Sequence, residues 1–300
     1  MRTAGDRELR KRRDRELPLG VLTFVRKFPK LGRVLLLALV SGISVLACAE
    51  VGTSPNAPAA IELPAYPSPS VVIGDTLRDL TGRVAGIRAI VRNVRGEEIA
   101  DAPTRYLYAD ALRDSALAVD SITGVVRALR ASKGTARLAA RVGASLQVLR
   151  EIIITTRPDS VDRNGQPGLA LFTTTFPDTG RAKASANSSP TFNVNVRHID
   201  STKAPTGVNA WPVRFELISP VNATNDTTRS VYLVDDSGRP SVLDTTDASG
   251  TAGRKVRIRA QLFPIGTAID SVIVRAVITH RGVAVKGSPI RMALPVKRGI

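Results

Sequence analysis

Residues 134–142 read GTARLAARV, and this stretch decides the fold class. The side chains of Ala136, Leu138, Ala140 and Val142 would lie on one face of an extended strand, and the two arginines would lie on the other. One face of the strand is therefore buried and the other is solvated, as in an antiparallel sheet that packs one face against a core. Other short runs of this kind predict further strands at Ile87–Val91, Tyr106–Ala109, Leu117–Val119, Val125–Leu129 and Leu146–Thr155.

The same alternation returns in the last third of the chain. Val213, Phe215 and Leu217 are each separated by one polar residue, and further strands follow around Phe192, Val256 and Val272. Turn residues separate the runs, so the pattern is typical of all-β sandwiches or barrels. The 300 residues are long enough for about two domains, each with its own core.

The overall charge is strongly positive, but a large part of the excess lies near the start of the chain. The formal net charge is +17, of which residues 1–47 contribute 11 basic and 4 acidic side chains. An excess of positive charge is typical of proteins that bind nucleic acid or an anionic membrane. The basic residues of the later strands have no aromatic side chains among them, whereas nucleic-acid modules use such side chains for base stacking, so we expect no nucleic-acid partner.

Cys48 is the single cysteine, which excludes an internal disulfide. With two histidines in the chain, a structural zinc cluster of Cys and His is excluded as well. A basic stretch precedes an apolar run of 14 residues, 34–47, which ends directly before Cys48. That order is typical of a signal peptide, and the run is shorter than the roughly 20 residues of a spanning helix.

The residues Val45-Leu46-Ala47-Cys48 resemble the lipobox of bacterial lipoproteins. The resemblance implies cleavage after Ala47 and a diacylglycerol on the Cys48 sulfur, so that a lipid holds the protein on a membrane. The alternative is a buried cysteine in an ordinary apolar segment. Residues 48–70 are rich in proline, which suits a tether. The Arg/Glu-rich residues 1–20 are unusual in a leader, and translation could instead start at Val21.

Residues 71–156 contain a series of short motifs in a fixed order: Gly74-Asp75-Thr76-Leu77, Ile99-Ala100-Asp101-Ala102-Pro103, Leu117-Ala118-Val119-Asp120, Thr123-Gly124-Val125-Val126 and Gly134-Thr135-Ala136. In this order and spacing the segment resembles the group 2 bacterial immunoglobulin-like family. Two features depart from the family. Tyr106 and Tyr108 stand where a tryptophan is usual, and residues 109–113 are predicted to be helical.

Residues 190–298 resemble the invasin-type, group 1 bacterial immunoglobulin-like repeats, on Pro212-Val213-Arg214-Phe215 and Asp247-Ala248-Ser249-Gly250. The resemblances imply two tandem immunoglobulin-like antiparallel β-sandwiches, placed after the signal peptide and the proline-rich tether. Residues 157–189 are predicted to be a linker, in which the apolar patch 169–172 could form an edge strand.

No constellation of catalytic or cofactor-binding residues stands out. His198 and His280 lie in or beside predicted strands and are not spaced as metal ligands. Asp159, Asp162 and Asn164 hint at a calcium loop, but the position that needs a bidentate glutamate is Leu171, so a surface turn is the better interpretation. We expect no enzyme, cofactor or metal. A deep pocket that holds either histidine together with carboxylates would favour an enzyme.

Five basic residues are predicted to face outward from the strands of the second domain, as either a polyanion-binding stripe or a solvated sheet face. They are Arg254, Lys255, Arg257, Arg259 and Arg275.

The sequence as a whole is compatible with two functions. The first is a non-catalytic adhesion, interaction or spacer lipoprotein of the outer membrane, facing the periplasm or the exterior, with envelope proteins or glycans as partners. The alternative is a module that binds a polyanionic glycan through the arginines, with steep salt dependence.

Overall fold

A computed structural model describes residues 54–164, 172–173, 187–219, 231–259 and 270–297. The predicted signal peptide, the lipobox and Cys48 lie outside these residues. Residues 55–300 form one compact unit. Its described part is all-β, and none of its elements is a helix long and apolar enough to cross a membrane.

The first sandwich contains eight strands, and its main sheet has the order β2-β8-β7-β4. The strands are β1 (Pro58–Glu62), β2 (Ser70–Val72), β3 (Ile90–Asn93), β4 (Thr104–Tyr108), β5 (Leu117–Val119), β6 (Val126–Ala128), β7 (Ala136–Val142) and β8 (Leu146–Thr155). β2 runs parallel to β8, whereas the other pairs are antiparallel. The pairs β1-β3 and β5-β6 complete the sandwich.

Strand β7 confirms the pattern with which the sequence predicts this fold. Ala136, Leu138, Ala140 and Val142 are buried, while Arg137 and Arg141 are exposed. The side chains of Ala136, Leu138 and Ala140 join one core with Leu77, Val126 and the two tyrosines of β4. Tyr106 and Tyr108 thus fill the core at the place where the resembled family has a tryptophan.

The second sandwich has one sheet of order β10-β20-β17-β13-β15 and one of order β12-β11-β16-β14, with β9 paired to β11. The strands are β9 (Ser160–Arg163), β10 (Phe172–Thr173), β11 (Phe192–Ile199), β12 (Pro205–Gly207), β13 (Pro212–Ser219), β14 (Val231–Val234), β15 (Leu243–Thr245), β16 (Thr251–Ile258), β17 (Asp270–Val277), β18 (Thr279–His280), β19 (Val283–Ala284) and β20 (Ile290–Lys297). A separate valine-rich core lies between the sheets, with Phe192 and Phe215 fully buried.

Three local expectations differ from the structure. Residues 58–62, assigned to the tether, form β1 and pair with β3, because Leu63 beside them buries its side chain in the first core. Residues 160–163, assigned to the linker, form β9 against β11, and Val161 joins the second core. Residues 109–113 form consecutive turns instead of a helix, with the amide of Asp114 donating to the carbonyl of Asp110 at 2.9 Å.

Candidate functional site

Asp75 lies in the loop that follows β2, and the backbone holds it in place on both sides. Its amide donates to the carbonyl of Val72 at 2.9 Å, and its carbonyl accepts from the amide of Ala128 at 3.0 Å. The residue is buried. A carboxylate fixed in this way at the end of the first sandwich needs charged or polar partners, because burying an unpaired charge is costly.

Two arginines from different sandwiches bind the Asp75 carboxylate. Arg78, in the same loop, donates from Nε to Oδ2 at 3.1 Å and from Nη2 to Oδ1 at 3.0 Å. Arg281, in the turn between β18 and β19, donates from Nε to Oδ2 at 2.8 Å. The amide of Thr76 donates to Oδ1 at 2.8 Å. The carboxylate therefore links the first sandwich to a hairpin of the second.

The surroundings shift the pKa values of Asp75 and His280 in ways that keep the first charged and the second neutral. Burial alone would raise the pKa of Asp75, but the hydrogen bonds from Arg78, Arg281 and the Thr76 amide outweigh it, so this pKa lies well below its usual range. Burial lowers the pKa of His280, and nearby arginines lower it further against the opposing effect of Asp75. Asp75 is thus an anion near neutral pH.

Close packing accompanies this ion cluster. Gly82 of the first sandwich lies against Gly282 of the second, and a Cβ at Gly82 would come within 2.2 Å of the Gly282 amide nitrogen. The Ser70 hydroxyl donates to the carbonyl of Ala210 at 2.8 Å, and Val72 packs into the second core. The two sandwiches are therefore joined by hydrogen bonds, charge and apolar packing together.

A cleft of about 330 Å³ lies beside this junction, with walls from both sandwiches. Val72, Thr76 and Leu80 line it on one side, and residues of β13, β15 and β17 line it on the other. Trp211 belongs to the second wall and packs against His280, with 5.7 Å between the ring centroids. Trp211 Nε1 and His280 Nδ1 are buried and have no hydrogen-bond partner among the described residues.

His280 and carboxylates thus meet in a cleft, which is the arrangement that would favour an enzyme. The geometry, however, supports charge pairing and not proton transfer. His280 Nε2 is 4.0 Å from Asp75 Oδ2, beyond hydrogen-bond reach. The Asp75 oxygens already accept four hydrogen bonds, and the Ser70 hydroxyl is directed to the Ala210 carbonyl and not to a base.

The five basic residues predicted as an outward stripe do not share one exposed face. Arg254 and Arg257 are buried, and Arg254 binds Asp244 at 2.8 Å inside the sandwich and also donates to the Leu243 carbonyl. The outward orientation predicted for these two residues is therefore wrong. Arg254 alternates with Ala252 and Val256, which belong to the second core, so its side chain lies on the buried face of β16. Arg257 lies on the other face of the strand and is buried as well.

The other three residues of that stripe have polar or aromatic neighbours. Lys255 pairs with Asp236 at 3.0 Å, Arg275 donates from Nε to Glu216 at 2.9 Å, and the Arg259 guanidinium lies 5.8 Å from the centre of the Tyr232 ring. Polyanion binding stays a prediction, and it would depend on these three side chains.

The residues of the hinted calcium loop make local contacts. The Asp159 carboxylate binds His198 Nδ1 at 2.7 Å and accepts from the Ile199 amide at 2.9 Å. Asp162 accepts from the Asn195 amide group at 3.2 Å. Within the described part of the chain, no group of three or more His, Cys, Asp and Glu side chains is arranged to hold a metal ion.

In the sequence, Asp75 stands out only as part of the segment Gly74-Asp75-Thr76-Leu77, and Arg281 has no predicted role. One signal was present: Arg281-Gly282 stands between two short alternating runs. Both residues have positive φ, 53° and 77°, which fits a tight hairpin turn. Nothing in the spacing of 206 positions between Asp75 and Arg281 could have paired them.

No protein-family model and no curated protein matches the chain. Solved structures with remote likeness include the surface-layer protein rSbsC(31-844), 12% identical over 81% of this chain and 28% of that chain, with a TM-score of 0.28. The D00-D0 domain of intimin is 15% identical over 79% of this chain and 98% of that one, with a TM-score of 0.24. The Yersinia pseudotuberculosis adhesin InvE is 14% identical over 76% and 56%, with a TM-score of 0.31.

Proposed function

We propose that the chain is a lipid-anchored, non-catalytic interaction module of the bacterial cell envelope, in which two immunoglobulin-like sandwiches act as one rigid arm. The anchor is Cys48, and the arm faces the periplasm or the cell exterior. The partners are other envelope proteins or glycans that contact loops and strand edges of the arm. The lipobox resemblance supports the anchor, and the all-β architecture supports the display role.

The observation that carries the proposal is the contact of Asp75 with arginines of both sandwiches. A flexible connection would let the second sandwich swing freely about the first. Here the Arg281 bond at 2.8 Å, the Ser70 bond at 2.8 Å and the Gly82–Gly282 approach oppose such motion. A rigid arm holds its far end at a fixed distance from the membrane, as a spacer or an adhesive module requires.

The non-catalytic part of the proposal rests on the geometry of the cleft. In a catalytic His–carboxylate pair, the carboxylate accepts a hydrogen bond from the imidazole and orients it. His280 Nε2 lies 4.0 Å from Asp75 Oδ2, and the Asp75 oxygens are bound by Arg78 and Arg281, so this carboxylate does not orient the imidazole. The same groups are well arranged to join two domains.

The test combines protease shaving of intact cells with a pull-down that uses residues 55–300. The bait starts at residue 55 because a later start would remove β1 from the first sandwich. Cleavage by shaving indicates an arm at the cell exterior, and protection indicates an arm in the periplasm. In both cases we expect the bait to recover envelope proteins or glycans. A bait that recovers no envelope component, or a purified protein that converts a small molecule, would contradict the proposal.

A further inference from the structure

The cleft beside the junction exposes large apolar side chains from both of its walls. Leu80 of the first sandwich is 48% exposed and Leu243 of the second is 40% exposed. Pro212, Val242 and Val277 also line the cleft. Scattered exposed apolar residues need no explanation, but apolar residues that converge in a concave site are typical of binding sites.

The charged groups of the cleft are already matched, which indicates an uncharged occupant. Arg78 and Arg281 bind Asp75, and Arg214 pairs with Glu216 at 3.2 Å. The Asp79 carboxylate accepts hydrogen bonds from the amides of its own loop. These ion pairs neutralise the arginines of the cleft, so its walls have no excess positive charge that would favour a phosphate or carboxylate ligand, although the whole chain has an excess of basic residues.

The rim can still donate hydrogen bonds to neutral acceptors. Arg281 reaches Asp75 through Nε, and Arg214 reaches Glu216 through Nε. The side chains of both arginines are more than half exposed, at 53% and 65%. A guanidinium has five N–H donors, so the terminal nitrogens of each can bind a carbonyl oxygen without breaking its ion pair.

From these features we infer that the cleft receives an uncharged apolar side chain of a partner polypeptide, with the flanking carbonyl groups held by the arginines of the rim. The volume of about 330 Å³ is at the small end of ligand sites, which span roughly 300–1,000 Å³. One leucine-sized side chain with its backbone suits this size. The inference rests on the proposed interaction function and names the chemistry of the contact.

Trp211 makes the inference measurable, because it is the only tryptophan of the chain and it lines the cleft. The full chain in detergent is titrated with acetyl-Gly-Leu-Gly-amide, which is uncharged and does not fluoresce near tryptophan. Acetyl-Gly-Glu-Gly-amide tests the charge and 4-methylpentanamide tests the need for a peptide backbone. We expect a saturable change of Trp211 emission with the leucine peptide in the millimolar range, and at least tenfold weaker binding of the other two.

The variant Leu80→Ser should weaken binding of the leucine peptide at least tenfold. Leu112→Ser is the matched control, because Leu112 is fully exposed and is not part of the cleft, and its binding should equal that of the unmodified chain. No saturable signal, equal binding by Leu80→Ser, or equal binding of the glutamate peptide would overturn the inference. If 4-methylpentanamide binds as tightly as the leucine peptide, the inference that the partner is a polypeptide is overturned. None of these results changes the outcome of the pull-down, so the two failures are distinguishable.

Discussion

Replacement of Asp75 by asparagine tests the junction most directly. Asparagine keeps an acceptor for the Thr76 amide but loses the charge that holds three N–H groups of Arg78 and Arg281 at 2.8–3.1 Å. A hydrogen bond to a charged group contributes roughly 1.5–3 kcal/mol when it is buried. Both arginines are partly exposed, 27% and 53% for their side chains, and solvent screening reduces such pairs to about 0–1 kcal/mol each.

We therefore expect Asp75→Asn to lower the free energy of unfolding by about 1–2 kcal/mol, measured by urea denaturation with Trp211 emission. The same variant should broaden the distance distribution between spin labels on the two sandwiches. The labels are placed at Ser145→Cys and Ser237→Cys, both exposed turn residues, in a chain that carries Cys48→Ser.

The control for this prediction is Asp101→Asn, an exposed carboxylate of the same sandwich. Its unfolding free energy and its distance distribution should match those of the parent chain. If Asp75→Asn behaves like Asp101→Asn in both measurements, the carboxylate does not hold the junction and the reasoning is refuted.

Three further changes follow from the same structure. Gly82→Ala places a Cβ 2.2 Å from a backbone nitrogen of the second sandwich, so it should broaden the distribution of spin-label distances. Gly74 also has positive φ but has open space around it. Gly74→Ala should therefore lower the free energy of unfolding by about 1–2 kcal/mol and leave the spin-label distances unchanged. The pKa of His280 is lower in the folded chain than in the unfolded chain, so the unfolded chain binds more protons as the pH falls below about 6.5. The free energy of unfolding in urea should therefore fall between pH 7.5 and pH 5. His280→Gln should flatten this pH dependence, and an unchanged slope would contradict the prediction. Arg254→Met removes a buried ion pair and should lower the free energy of unfolding by about 3 kcal/mol. Arg259→Met should change this free energy by less than about 0.5 kcal/mol. Similar values for the two variants would contradict a structural role of Arg254.

The sequence predicts the fold well where a local period decides it. In β7 the alternation of apolar residues and arginine is seen directly as buried and exposed side chains, and β5 and β8 have the bounds that the pattern predicts. The pattern fails where composition misleads. Pro58 is the first residue of β1 and Pro64 follows the strand. These prolines suggest a tether, yet proline is tolerated at the first residue of a strand.

The junction could not be predicted because it depends on contacts between distant positions. Asp75 and Arg281 are in two separate sandwiches, and neither has a periodic neighbour that identifies its partner. Arg254 shows a second limit. Its alternation with Ala252 and Val256 places it on the core face of β16, but its own strand has no acidic residue that could pair with it. The partner, Asp244, lies on β15 of the opposite sheet, so only the tertiary structure shows how the charge is buried.

Mass spectrometry of the protein purified from the membrane fraction of its host tests the central claim of a lipid-anchored arm. We predict a mature chain that begins at Cys48 and carries diacylglycerol on the sulfur, with residues 1–47 removed. The variant Cys48→Ser should keep residues 1–47, or should be absent from the detergent phase when the membrane fraction is partitioned between detergent and water. A membrane-associated chain that retains residues before Cys48, or that begins elsewhere without lipid, would contradict the account.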